Sequence, residues 1–107
     1  MSALTARLFC EAVRLLATNG GSPACDKVLE AGGIPVIVEL LACLPEDRHV
    51  VYQACAALNW LAANGSDAVK QALRRSDIAC LLRAASARLT AWEKPDHAAE
   101  ALEDLGL

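Results

Sequence analysis

An internal repeat is the feature of this 107-residue chain that most constrains its fold. When the sequence is laid over itself with Ile34 opposite Ile78, a shift of 44 residues, apolar positions coincide along the overlap. Five further pairs coincide: Leu29 with Leu73, Ile37 with Leu81, Val38 with Leu82, Leu58 with Leu102 and Leu61 with Leu105. A second match, at a shift of 45, places CEAVRLLATNG (10–20) over CAALNWLAANG (55–65). A period of this length is typical of helical solenoids, in which each unit buries its apolar face against the next.

The composition favours helices over strands. Hydrophobic residues make up 55% of the chain but aromatic residues only 4%. Alanine and leucine suit close-packed helices, whereas a sheet would favour β-branched and aromatic residues. Glycine and proline markers divide the chain into about seven short segments without strand-like alternation, so we expect an all-α protein.

Glycine-rich stretches predict sharp turns between helices. In KVLEAGGIPVIVELL (27–41), a Gly-Gly pair separates two helix-like patterns, and one of its residues is expected to have positive φ. Pro35 then falls in the first turn of the next helix, where it removes no hydrogen bond. In ATNGGSP (17–23), Gly20 is expected to be a left-handed C-terminal cap, followed by Ser22 as N-cap. AANGSD (62–67) predicts the same arrangement.

The Glu-Ala-Gly-Gly turn followed by Ile-Pro and a Val, Ile and Leu run resembles the armadillo repeat. This resemblance covers nearly the whole chain and implies a right-handed α-α superhelix of three-helix repeats, forming a single domain over 1–107. Residues 2–19 would be the third helix of a partial repeat, 23–66 a full repeat, and 67–107 a second, degenerate repeat in which Ser76-Asp77 replaces the glycines. The expected helices after the first are 23–31, 34–44, 46–63, 67–75, 77–88 and 95–105.

The same resemblance implies that the third helices line a concave surface that binds a protein or an extended peptide. Nuclear-import adaptors of this family carry a Trp and, four residues later, an Asn on each third helix. The matching pairs here do not reproduce that pattern, so import-signal recognition does not follow. Trp60 supplies an aromatic anchor instead, beside acidic residues that would favour a basic ligand group. The expected contact residues are Glu11, Arg14, Leu15, Ala56, Asn59, Trp60, Glu100 and Asp104.

Charge and cysteine usage limit the partners and the compartment. A net charge of −3 gives the whole chain no attraction for nucleic acid or anionic lipid. Charged residues interrupt the apolar start of the chain, so neither a membrane span nor a signal peptide is expected. The five cysteines are odd in number and lack a C-x-x-C pair, which predicts reduced, buried side chains in the cytoplasm or nucleus.

We expect no cofactor and no enzymatic activity. The sequence has no nucleophile elbow, phosphate loop or H-E-x-x-H motif. His97, Glu100 and Asp104 share a helix face that could hold a metal, but a solvated acidic face is the favoured interpretation. His49 is expected in a loop without a partner. Cys10 and Cys55 occupy equivalent apolar positions in the repeat, as core residues do.

Self-assembly is the alternative function. A short solenoid has two end faces, and neither terminus has the polar residues of a capping repeat. Leu4, Leu8 and Phe9 are expected at one end, and Ala98, Leu102 and Leu105 at the other. Residues 68–88 carry a net charge of +4 and residues 93–107 a net charge of −4. These segments could neutralise each other within one chain, bind an acidic partner, or join copies head to tail.

Overall fold

The computed structural model describes residues 2–75 and 77–107, so Ser76, which the repeat alignment places opposite Gly32, lies outside the described residues. Within them the only regular elements are seven α-helices, with no strand, which confirms the all-α prediction. The helices are α1 (Ala3–Asn19), α2 (Gly21–Glu30), α3 (Gly33–Cys43), α4 (Arg48–Asn64), α5 (Asp67–Arg75), α6 (Ala79–Ala91) and α7 (His97–Leu105). None of these helices is both long and apolar enough to cross a lipid bilayer.

Helix α4 is the centre of the molecule. It packs along α1 on one side and along α7 on the other, and it also contacts α2, α3, α5 and α6. Leu58 and Leu61 of α4 have no exposed surface, which confirms that this side of the helix faces the core. Further contacts join α2 to α5 and α3 to α6, so these helices each touch the helix three places later in the chain.

Side-chain caps start three of the helices. Ser2 accepts a hydrogen bond from the backbone N–H of Thr5 at the start of α1. Asp47 and Asp96 do the same at α4 and α7, where they accept from Val50 and Ala99. Each cap satisfies a backbone donor that has no partner within its helix. Because Asp47 caps α4, this helix begins at Arg48, two residues after the start at 46 that the sequence predicted.

The turn between α2 and α3 follows the predicted geometry. Gly32 has φ of 76°, in the left-handed region, and this confirms the expected positive φ in the Gly-Gly pair. Gly33 is packed closely, since a Cβ there would lie 2.9 Å from Cγ1 of Val28. Asp77, between α5 and α6, has φ of 51°, so an aspartate there adopts the left-handed conformation that Gly32 has between α2 and α3.

The two other predicted glycine turns are wrong in detail. Gly20 has φ of −94° and Gly65 has φ of −73°, so neither is left-handed. Gly21 has positive φ instead, and α2 begins there, one residue before the predicted N-cap Ser22. Both glycines are nevertheless needed, because a Cβ at Gly20 would lie within 3 Å of the Ala24 side chain and one at Gly65 within 3 Å of Val69.

Two other expectations about burial need correction. Cys10, Cys25 and Cys55 are buried, but Cys43 and Cys80 are exposed because they lie on the outer sides of α3 and α6. At the carboxyl-terminal end, Ala98 and Leu105 are buried rather than open, because α7 turns its apolar side onto α4 and α6. Leu102 is half-buried, so this end is not the open apolar face that the sequence suggested.

The predicted position of His49 is also wrong. His49 lies in the first turn of α4 and not in a loop.

Candidate functional site

The predicted contact residues lie on α4 and on the two helices that flank it, α1 and α7. We call the surface formed by Glu11, Arg14, Leu15, Trp60, Glu100 and Asp104, together with its buried floor, the α1–α4–α7 face. Leu15, Glu100 and Asp104 are exposed, and Glu11, Arg14 and Trp60 are half-buried. These six side chains retain surface for a ligand.

Ala56 and Asn59 were expected to touch a partner, and their burial contradicts that role. Ala56 is 1% exposed and Asn59 is 6% exposed. The reason is that α1 and α7 both lie against α4 and cover its flanks, so short side chains on α4 do not reach the surface. Ala56 therefore forms part of the floor beneath the face, one helical turn from Trp60.

Asn59 instead joins α4 to α7. Its Nδ2 donates a hydrogen bond of 2.7 Å to Oε2 of Glu100 and lies 3.3 Å from Nδ1 of His97. The His97 nitrogen is 3.8 Å from the same Glu100 oxygen, and the His97 ring packs at 5.4 Å from that of Tyr52. A buried amide thus holds the Glu100 carboxylate in place beside the aromatic pair.

On the opposite side, polar contacts join α4 to α1. Nε of Arg14 donates a hydrogen bond of 2.6 Å to Oε1 of Gln53, and Nδ2 of Asn64 donates one of 2.9 Å to the backbone carbonyl of Ala17. Arg14 is therefore oriented along the face by a side chain of α4. Gln53, Tyr52 and His97 were absent from the predicted site. Tyr52 and Gln53 could have been predicted from their spacing, because both lie about one helical turn before Ala56 on α4.

Arginines of the basic segment 68–88 have partners other than the carboxylates of segment 93–107. Arg88 forms an ion pair of 3.3 Å with Glu46, in the turn before α4. Arg74 donates a hydrogen bond of 3.0 Å to the backbone carbonyl of Leu105. Outside that segment, Arg48 at the start of α4 lies over the ring of Trp92 at 5.4 Å, a cation–π contact. The exposed carboxylates of Glu100 and Asp104 are thus not neutralised by Arg74 or Arg88.

The buried thiols are poor nucleophiles. Burial raises the pKa of Cys10 to about 11, from an ordinary value of 9.0. Burial, with smaller effects of Asp96 and Cys10, raises the pKa of Cys55 to about 12. The pKa of Cys25 is also raised, first by burial and then by the charge of Asp26. These three thiols stay protonated near neutral pH.

An apolar hollow lies outside the predicted site. It has a volume of about 300 Å³ between α1, α2 and α3, and its lining is almost entirely apolar. Phe9, Leu16, Val28 and Val36 contribute to the walls, and Lys27 is the charged residue at its edge. This hollow was not predicted from the sequence, although the apolar residues on the side of α1 away from α4 indicate it.

Comparison of the chain with protein-family models, with curated proteins and with solved structures gave no match.

Proposed function

We propose that this chain is a non-catalytic protein-binding module of the armadillo type, which serves as a segment of a scaffold or adaptor. The support is the order of its helix contacts, in which α1 adjoins α4, α4 adjoins α7, α2 adjoins α5 and α3 adjoins α6. Contacts of each helix with its counterpart three places later are those expected of three-helix units stacked in sequence. The repeat of about 44 residues and the positive φ of Gly32 agree with this proposal.

The proposed binding surface is the α1–α4–α7 face, and the observation that supports it best is the position of Trp60. Its side chain is half-buried on the central helix, next to the small, buried Ala56. A tryptophan that keeps part of its ring exposed beside a shallow floor is a suitable anchor for an apolar side chain, and tryptophans are enriched among residues that dominate binding energy. Leu15 extends the apolar surface towards α1.

The proposed ligand is an extended peptide segment that carries a basic residue. Glu100 and Asp104 are exposed on α7, one turn apart, and Glu100 is held by the buried amide of Asn59. A carboxylate whose position is fixed loses less conformational entropy when it binds a lysine or arginine. A peptide with an apolar residue at Trp60 and a basic residue towards α7 would use both features.

A selection experiment tests this proposal. Peptides would be selected from a random display library against the native chain, and their affinities for the native chain and each variant measured by fluorescence anisotropy of a dye-labelled peptide. Loss of a dominant aromatic anchor costs about 2 kcal/mol or more, so Trp60→Ala should weaken binding by roughly 30-fold. Trp92→Ala is the matched control, because it removes the other tryptophan and should leave the affinity within about twofold.

Two outcomes would contradict the proposal. One is the failure of any peptide to bind the native chain above background. The other is a set of peptides that bind Trp60→Ala and the native chain equally well. The ligand chemistry has its own check, because Glu100→Lys should reverse the charge preference of newly selected peptides from basic to acidic. Circular dichroism would verify that each variant remains helical.

A further inference from the structure

Helix α1 carries an unusual ridge of exposed leucines. Leu4, Leu8, Leu15 and Leu16 have 44% to 56% of their surface exposed, and the fifth such residue in the described part of the chain is Leu107. Leu4, Leu8 and Leu15 are spaced so that they fall on one side of the helix, opposite the buried Ala6, Cys10, Val13 and Ala17. A contiguous exposed apolar surface of this kind marks an interaction site.

The ridge and the apolar hollow belong to the same face of the molecule. Leu16 and Phe9 form one wall of the hollow between α1, α2 and α3, and Leu16 also lines a shallower depression together with Ala12 and Leu15. We call the ridge and the hollow together the amino-terminal face. A two-fold pair requires a self-complementary surface, and a ridge beside a groove can provide one, because the ridge of each copy can enter the groove of the other.

We propose that two copies of this chain pair through the amino-terminal face. The charges at its edges are complementary. Along the α1 edge, Arg7 and Glu11 lie one turn apart, and along the α2 edge, Lys27 and Glu30 do the same. When the α1 edge of one copy lies over the α2 edge of the other, Glu11 meets Lys27 and Arg7 meets Glu30, twice in the symmetric pair. Each ridge then occupies the opposite hollow.

The other end of the molecule favours a closed pair over a filament. Head-to-tail stacking needs a second apolar face that accepts the ridge. Ala98 and Leu105 are buried at 0% and 2% exposure, so the α7 end has little apolar surface to offer. A face that pairs with its own copy buries the exposed leucines of α1 in both chains, so the pair has no ridge left to which a further copy could add.

Other occupants account for less of the surface. A small apolar molecule could fill the hollow but would leave Leu4 and Leu8 exposed to water. An anionic membrane would gain from a basic rim, whereas here each edge carries one positive and one negative side chain. A stable protein pair buries roughly 800 Å² on each partner. The ridge and hollow together provide the apolar centre of such an interface.

Sedimentation equilibrium and light scattering over a wide concentration range provide the test. The native chain should show a monomer–dimer equilibrium that stops at the dimer. Leu8→Glu should weaken dimerisation at least tenfold, and Leu107→Glu, which changes an exposed leucine outside the ridge, should not. Leu8 is 53% exposed, so the variant should keep its helicity and its unfolding midpoint, which circular dichroism would check.

Charge exchange identifies the arrangement of the two copies. Glu11→Lys and Lys27→Glu should each weaken the dimer several-fold, and the double variant should restore it. Glu11 and Leu15 belong to both proposed surfaces, but Trp60 belongs only to the α1–α4–α7 face and Leu8 only to the amino-terminal face. Trp60→Ala should therefore not change dimerisation, and the two proposals can fail separately. A native chain that stays monomeric at all concentrations, or that assembles without limit, would overturn the pairing. So would equal effects of Leu8→Glu and Leu107→Glu, or a double charge variant no tighter than either single one.

Discussion

The side chain of Asn59 on α4 donates a hydrogen bond of 2.7 Å to Oε2 of Glu100 on α7. Asn59 is buried, whereas Glu100 is exposed, so the bond links the interior of one helix to the surface of the next. The sequence suggested that both residues contact a ligand. In the structure only Glu100 is accessible to a ligand, and the hydrogen bond from Asn59 orients its carboxylate.

Replacing Asn59 should therefore reduce stability. A hydrogen bond to a charged acceptor contributes about 1.5 to 3 kcal/mol, and we expect Asn59→Ala to lower the free energy of unfolding by about that amount. Glu100→Gln keeps an acceptor for the amide and removes only the charge, so it should cost roughly half as much. Urea unfolding measures both. An Asn59→Ala variant as stable as the native chain would show that the bond contributes nothing.

Leu58→Ala should destabilise the core strongly. Leu58 is fully buried on the central helix, and truncation of such a leucine costs about 2 to 5 kcal/mol. Leu102 is its counterpart one repeat later but is only half-buried, so Leu102→Ala should cost less and serves as a control. The measurement is the urea midpoint of each variant. Equal losses at the two positions would contradict the difference in burial.

The sequence predicted the features that depend on local pattern. The helix count, the Gly32 turn and the buried position of Leu58 follow from apolar spacing and turn chemistry, and the structure confirms them. The armadillo-type superhelix and the role of Trp60 stay predictions. They concern how units are arranged and what they bind, which spacing alone does not determine.

The errors arose where neighbouring helices decide exposure. Ala56 and Asn59 lie on the side of α4 that the repeat resemblance implied was open, but α1 and α7 cover their short side chains. Leu16 and Leu61 are equivalent in the sequence match, yet Leu16 is 53% exposed and Leu61 is buried. Helices α2 and α3 precede α4 in the chain and pack against it. Among the described residues, no helix precedes α1 and covers Leu16 in the same way. Two positions that match in the sequence repeat can therefore differ in exposure, because the helices around them differ.

The Gly-Gly turn should respond differently at its two positions. A Cβ added at Gly32 would meet open space, but the residue has positive φ, so Gly32→Ala should cost about 1 to 2 kcal/mol through backbone strain alone. Gly32→Asn should cost less, because asparagine tolerates this conformation. Gly33→Ala meets Val28 instead, so a Val28→Ala change should lower its cost. Thermal unfolding of the single variants and of both double variants, with Val28→Ala alone as the reference, tests the assignment, and rescue of Gly32→Ala by Val28→Ala would contradict it.

Thiol labelling should separate the cysteines into two groups. Cys43 and Cys80 are exposed and should react with a thiol reagent rapidly, whereas Cys10, Cys25 and Cys55 should react slowly in the native protein. Denatured protein should give all five. Mass spectrometry of partly labelled protein identifies the sites. Rapid modification of Cys55 would mean that the packing of α4 is looser than the structure shows.

Alkaline pH should destabilise the protein through its buried thiols. The folded-state pKa of Cys55 is about 12 and that of Cys10 about 11, both above the ordinary value of 9.0. The unfolded chain therefore loses these protons first, and the stabilisation, complete below pH 9, falls as the pH rises from 9 towards 11 to 12. Each thiol contributes a slope of up to about 1.4 kcal/mol per pH unit.

Urea unfolding at about pH 8, 9 and 10 under reducing conditions would measure this slope. Cys55→Ala should flatten it, because one of the titrating groups is gone, even if the truncation itself lowers stability at every pH. Cys43→Ala is the matched control and should leave the slope unchanged, since its side chain is exposed. All titratable groups other than the substituted cysteine are common to the proteins compared, so their contributions to the slope cancel. The same slope in Cys55→Ala and the native chain would show that the Cys55 thiol is not held neutral by burial.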